Sequence, residues 1–194
     1  VSIRIEHRDR FLMIMLYDTG ARIQELMDLL ICDLRLGGTP TVTLHGKGNK
    51  IRIVPLMKET VTHVRNYLKV FHTGALESST EYLFYVDRKG IRSKMCDDTA
   101  RIRLQKYVAR AQEKCREVPD NVHPHLWRHS RAMHLYQHGM DLTLVSQWLG
   151  HAQLTTTLIY AHADAEHKRK AIEAAMGTSG VNTDETEVYK VSDE

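Results

Sequence analysis

With 194 residues the chain is long enough for one domain with a sizeable core, and 42% apolar residues is the share expected of a soluble globular protein. No apolar run approaches the roughly 18 residues that span a bilayer, and the opening VSIRIEHRDR is charged, with no signal-peptide core. The net charge of +3 is unevenly spread: residues 178–194 hold five carboxylates against Lys190 alone, a balance of −4 that leaves +7 on residues 1–177 and favours a polyanionic partner for the body.

The sequence does not open on Met, so it reads as a fragment of something longer. Cys32, Cys96 and Cys115 are odd in number and widely spaced, which is the pattern of reduced, buried thiols in a cytosolic protein. Residues 7–17 are expected to be helical, with Phe11, Leu12, Met15 and Leu16 as an apolar stripe. Asp18-Thr19-Gly20 breaks that helix, and Thr19 or Gly20 can cap the next, from Arg22 to about Leu30. Arg22 then lies in a first turn, where a cation opposes the macrodipole unless an anion is expected. Glu25, three residues on, can orient or neutralise it.

From Asp33 to Leu56 the period switches to two. Residues 33–36, 41–44 and 51–55 predict a three-stranded meander with turns at Gly37-Gly38 and Gly46-Lys47-Gly48-Asn49. Its basic tip, with Lys47 and Lys50, suits a nucleic-acid groove because glycine permits close backbone approach. It is not a phosphate-binding loop, since GxxxxGK[ST] is absent. Residues 58–70 predict a helix with Val61, Val64 and Leu68 inward, 82–86 a short strand, and Arg88-Lys89-Gly90 a turn. Asp97 or Asp98 caps a long helix to about Cys115, with Ile102, Val108 and Ala111 apolar and Arg101, Arg103, Lys106 and Arg110 outward.

Pro124 opens another helix and places His125 and Arg128 on one face of its first turn. Gly139 stops it. Asp141 caps Leu142 to Leu149, Gly150 ends that segment, and His151 follows at once. Tyr160 comes after the cap-like Thr155, Thr156 and Thr157. A last helix is expected over 165–176, ended by Gly177, and residues 187–191 alternate like a strand seeking an edge.

Two histidines, an arginine and a tyrosine thus meet at helix ends, which points to phosphate chemistry. Metal-free phosphodiester cleavage needs a nucleophile, cations on the non-bridging oxygens and an acid for the leaving oxygen. Arg22 and Arg128 can form a guanidinium clamp, Lys47 can be the acid, and Tyr160 beside cations is expected to have a lowered pKa. No acidic cluster suited to Mg²⁺ is evident. His125 and His129 have a zinc-compatible spacing, but the glutamate of HExxH is missing. His123, His134, His138 and His162 read as incidental, and Trp127 and Trp148 as core packing.

Four segments in order, TGARIQEL (19–26), GKGNKIRIVPL (46–56), HPHLWRH (123–129) and LGHAQLTTTLIY (149–160), resemble the tyrosine recombinase (phage integrase) family over roughly residues 7–177. The resemblance implies a mixed α/β, mostly helical catalytic domain over 1–177 with a small three-stranded antiparallel sheet, followed by an acidic tail over 178–194. It assigns Arg22, Lys47, His125, Arg128 and His151 to catalysis, Tyr160 as nucleophile, Glu25 in support of the first arginine, and Lys50 and Arg52 to DNA contact. Tyr160 would form a 3′-phosphotyrosyl link and release a 5′-hydroxyl, with Lys47 protonating the leaving oxygen and no metal, ATP or other cofactor.

The partner implied is double-stranded DNA, acted on by a homo-tetramer with accessory DNA-bending proteins, without a membrane. The setting would be the cytoplasm of a bacterium or its phage, on the nucleoid, and the outcome integration or excision of a mobile element. Family members carry further N-terminal DNA-clamping domains, so weak, poorly specific DNA binding is expected of this part alone. The tail strand would add to a sheet edge, its own or a neighbour's. A type IB topoisomerase, a catalytically silent DNA-binding module and a zinc hydrolase are the rival readings.

Overall fold

The computed structural model describes residues 3–48, 50–151, 153, 155–163 and 169. The first helix, α1, runs from Ile3 to Thr19 and buries Phe11, Leu12, Met15 and Leu16 at the expected spacing. Thr19 closes it: its hydroxyl donates to the Met15 carbonyl at 2.6 Å and accepts from the Ala21 amide at 3.1 Å. Gly20 turns the chain with φ +60°, where a side chain would be strained, and a Cβ there would meet Leu149 Cδ2 at 3.0 Å. The helix α2 follows over Ile23–Met27. It is shorter than the expected 22–30, and a 3-10 turn over Ile31–Asp33 completes the segment.

The meander forms as expected, with β1 (Leu34–Arg35), β2 (Thr41–Gly46) and β3 (Lys50–Pro55) antiparallel in that order. Register fixes its faces. Val42 pairs with Val54 and Leu44 with Arg52, so Arg52 shares the inward face with Val54 while Ile51 and Ile53 face outward, 59% and 65% exposed. Helix α3 (Lys58–Phe71) packs Val61, Val64 and Tyr67 against α1, where Tyr67 stacks on Phe11 and Phe71. A hairpin of β4 (Tyr85–Arg88) and β5 (Ile91–Lys94) comes next. One strand was expected over 82–86; the observed one starts at Tyr85 and takes in Arg88, and its partner, without apolar alternation, was not expected.

Helix α4 spans Asp97–Gln112 with Cys96, not Asp97 or Asp98, at its N-cap. Its inward stripe is Ala100, Leu104 and Val108, while Ile102, expected to be inward, is 68% exposed. Arg103, expected outward, turns in to Asp9 at 2.7 Å. The cause is a buried carboxylate: Asp9 also takes hydrogen bonds from Arg8 and Tyr107, because a charge removed from water needs donors. All three cysteines are exposed and free, against the expectation of burial: Cys32 lies in the 3-10 turn, Cys96 caps α4 and Cys115 follows it.

The last described elements are α5 (Pro124–Gln137), α6 (Leu142–Leu149) and α7 (Thr155–Ala163). Asp141 caps α6 by accepting from the Thr143 amide at 2.7 Å, and Gly150 ends it with φ +65°. These helices enclose a small cluster of Ala132, Val145, Leu149 and Tyr160, separate from the main core. Trp148 packs on both clusters, as expected of a packing residue. The architecture is mixed α/β, mostly helical, with a small antiparallel sheet. The expected helix 165–176 and strand 187–191 lie outside the described residues.

Candidate active site

The site forms where the two hydrophobic clusters meet, and Glu25 organises one side of it. Arg22 is the N-cap of α2, one position earlier than expected. Glu25, 3% exposed, accepts from the Arg22 amide at 2.7 Å and from Arg22 Nη1 at 3.0 Å. The same carboxylate receives both terminal nitrogens of Arg52, at 2.8 and 2.7 Å. Burial pushes the Glu25 carboxyl up, but the hydrogen bonds and charge of Arg52, with those of Arg22, outweigh it and hold the group below the usual carboxylate range.

Arg52, expected to contact DNA, lines the same cleft as Lys47 and Lys50, but its guanidinium is turned to Glu25. The pleat turns it inward, and Nε donates to the Trp148 carbonyl at 3.0 Å, tying β3 to α6. Gly150 makes room for it, since a Cβ there would lie 2.9 Å from Arg52 Cδ. Nothing in the sequence signalled this, because burying Arg52 with Val54 exposes both Ile51 and Ile53. Lys47 and Lys50 are exposed at the end of the β2–β3 hairpin and line one cleft of about 940 Å³ with Arg22, Gly150 and His151.

Arg128 is buried, and its two terminal nitrogens donate to the carbonyls of Gly20, at 2.7 Å, and Leu149. It joins the α1–α2 turn to the end of α6, which fixes its fork in place. Burial, with the cations Arg22 and Arg52, pulls its guanidinium down to about 10, so it stays charged at neutral pH. His151 follows the Gly150 cap, and its ring Nδ1 meets the hydroxyl of the buried Thr157 at 2.8 Å. Burial and then the nearby Arg128, Arg22 and Arg52 lower it to about 4, so it is a neutral imidazole at pH 7. His125 is exposed and is lowered by partial desolvation and then by His123 and nearby arginines.

Tyr160 is 4% exposed and lies in a second cleft, of about 430 Å³, with Arg22, His125, Arg128 and His151. Its phenol is raised, because burial outweighs the lowering by Arg128, which reverses the expectation of a lowered pKa in this state. The two clefts share Arg22 and His151. The structure thus brings together Arg22, His125, Arg128, His151 and Tyr160 and places Lys47 on the adjoining wall.

Two residues set aside in the sequence also belong here. His123 lines the Tyr160 cleft, and His129 packs its ring on Tyr160 at 5.0 Å. Thr157, expected only as a cap, orients His151. Among the described residues no group of three or more His, Cys, Asp or Glu side chains is disposed to hold a metal.

A model of the phage integrase family matches residues 3–167. The chain is 33% identical over 175 residues to tyrosine recombinase XerA of Pyrococcus horikoshii, covering 90% of this chain and 57% of the relative. It is 36% identical over 171 residues to tyrosine recombinase XerD of Yersinia pestis, covering 88% and 54%. The fold superposes on the crystal structure of the XerH site-specific recombinase bound to a palindromic difH substrate in a post-cleavage complex, with TM-score 0.69, 29% identity, and coverage of 91% of this chain and 48% of that one. The chain spans about half the length of these relatives.

Proposed function

The chain belongs to the phage integrase family, and on that premise we propose that it is the catalytic part of a site-specific DNA recombinase that cleaves and rejoins strands through a 3′-phosphotyrosyl intermediate on Tyr160. The observation that carries this reading is the convergence of Arg22, Arg128, His125, His151 and Tyr160 on one cleft. A phosphodiester seated there meets two guanidinium forks that match its non-bridging oxygens. Neutral His125 and His151 donate hydrogen bonds to the same oxygens. Tyr160 attacks in line, and Lys47, brought in on the hairpin, gives its proton to the departing 5′-oxygen.

Rejoining reverses the step with a 5′-hydroxyl from a partner strand, so the phosphodiester energy is kept in the phosphotyrosyl bond. Glu25 serves by holding Arg22, and Lys50 contacts the DNA backbone. Because Tyr160 lies in the cleft of its own chain, we assign cleavage in cis. Double-stranded DNA as partner is supported by the relative captured on its substrate. Assembly of four copies on two sites, accessory DNA-bending proteins and a cytoplasmic location on the nucleoid are part of the same proposal. So are the domain bounds of 1–177 and 178–194, and an outcome of mobile-element integration or excision.

A nicked suicide duplex tests the chemistry. Incubated in EDTA with the protein, it is expected to yield a denaturation-resistant protein–DNA adduct that Tyr160→Phe does not form. An adduct of equal yield from Tyr160→Phe would remove the nucleophile assignment.

A further inference from the structure

We propose that His129 is the proton partner of Tyr160, taking the phenol proton as the oxygen attacks phosphorus and returning it when the phosphotyrosyl bond breaks. This deepens the strand-cleavage reading and rests on it. His129 stands four residues after His125 and so shares its face of α5. Its ring centroid lies 5.0 Å from that of Tyr160 with the planes inclined at 47°. It is half-buried in the cleft wall, and no hydrogen bond from the described residues engages its ring nitrogens. The terminal torsion of histidine is broad, so a turn of the ring about it brings a nitrogen towards the phenol oxygen.

The site needs such a group. A buried phenol raised above its ordinary value is a poor nucleophile at neutral pH. His151 is a weak base, and its Nδ1 is already engaged by Thr157. His125 is likewise lowered, which suits a neutral donor to phosphoryl oxygen. His129 is the imidazole packed on the nucleophile itself.

The step balances. The Tyr160 O–H bond breaks and its proton goes to a His129 ring nitrogen while the O–P bond forms. The P–O5′ bond breaks, and its electron pair takes the Lys47 proton. In rejoining, the His129 imidazolium returns its proton to the departing Tyr160 oxygen. Arg22 and His123 at the N-caps of α2 and α5, His125 and Arg128 on α5, and His151 beyond α6 face this cleft, and among the described residues no carboxylate lines it. Of these groups Arg22 and Arg128 carry positive charge, and the negative charge of the bound phosphate offsets them when the proton moves.

The test measures the rate of adduct formation on a suicide duplex for the wild type, His129→Phe, His129→Gln and His129→Ala, with DNA binding followed separately. His129→Phe keeps the ring packing and removes the nitrogens, and circular dichroism checks that each variant folds. All three are expected to bind DNA as the wild type does and to form adduct about 100-fold more slowly. The acid limb of their pH–rate profile should be lost, and free imidazole should partly restore His129→Ala. His129→Phe at the wild-type rate, or variants that keep the wild-type pH profile, would overturn the assignment. A wild type that forms no adduct would instead defeat the strand-cleavage reading beneath it.

Discussion

Glu25 carries more of the site than any of the cations it holds. One buried carboxylate fixes Arg22 by backbone and side chain and neutralises Arg52, so its loss strands two guanidinium groups. Removing one partner of a buried ion pair typically costs about 3–5 kcal/mol. Glu25→Ala is therefore expected to lower Tm by chemical and thermal denaturation and to abolish adduct formation, whereas exposed Lys50→Ala leaves stability unchanged. Because the folded-state carboxyl is depressed, the stabilisation from Glu25 is present above its unfolded pKa and fades as pH falls through the lower folded value.

His151 acts over a higher window. With a folded value of about 4, it stays neutral while the unfolded chain takes up a proton near 6.5, so stability falls as pH drops between these values. An NMR titration is expected to find its ring still neutral at pH 6, and Thr157→Val should shift that titration. Most individual site residues were legible in the sequence because their types and spacing are those of the family. The direction in which Arg52 points and the raised phenol of Tyr160 were not, since both depend on burial, which spacing leaves open.

Among the elements, the junction of α6, Gly150 and β3 sets the cleft's geometry. Gly150 has φ +65°, and a Cβ would press on Arg52 Cδ at 2.9 Å, so substitution combines backbone strain with displacement of the Glu25 partner. Gly150→Ala is expected to cost about 1–3 kcal/mol of stability by denaturant titration. It should also slow adduct formation more than it weakens DNA binding.

The hairpin of β2 and β3 was legible from alternation and its glycines. The helices α5 and α6 were legible from Pro124, Asp141 and Gly150, which act locally. The inward side of α4 was not. Ile102 suggested one face and the structure buries another, because Asp9, over ninety residues away, claims Arg103 and Tyr107. Long-range polar demand of this kind leaves no trace in a local window.

For the whole molecule, the site lies between two hydrophobic clusters, and Arg128 and Arg52 help to join them by bonding to Gly20, Leu149 and Trp148 carbonyls. The order of the four motifs predicted that these parts would meet, although they stand up to 138 positions apart, between Arg22 and Tyr160. Binding to DNA is expected to weaken steeply with salt, and Lys50→Ala should reduce the slope of log K against log salt by about 1. A slope unchanged in Lys50→Ala would remove that side chain from the interface.

The central claim is a covalent bond between Tyr160 and a DNA 3′-phosphate. The measurement that tests it most directly is mass spectrometry of the nuclease- and protease-digested adduct from the suicide duplex. The account predicts a nucleotide remnant joined through its 3′-phosphate to the peptide containing Tyr160, with a 5′-hydroxyl on the released strand. A remnant on another residue, or a released strand ending in 5′-phosphate, would contradict it.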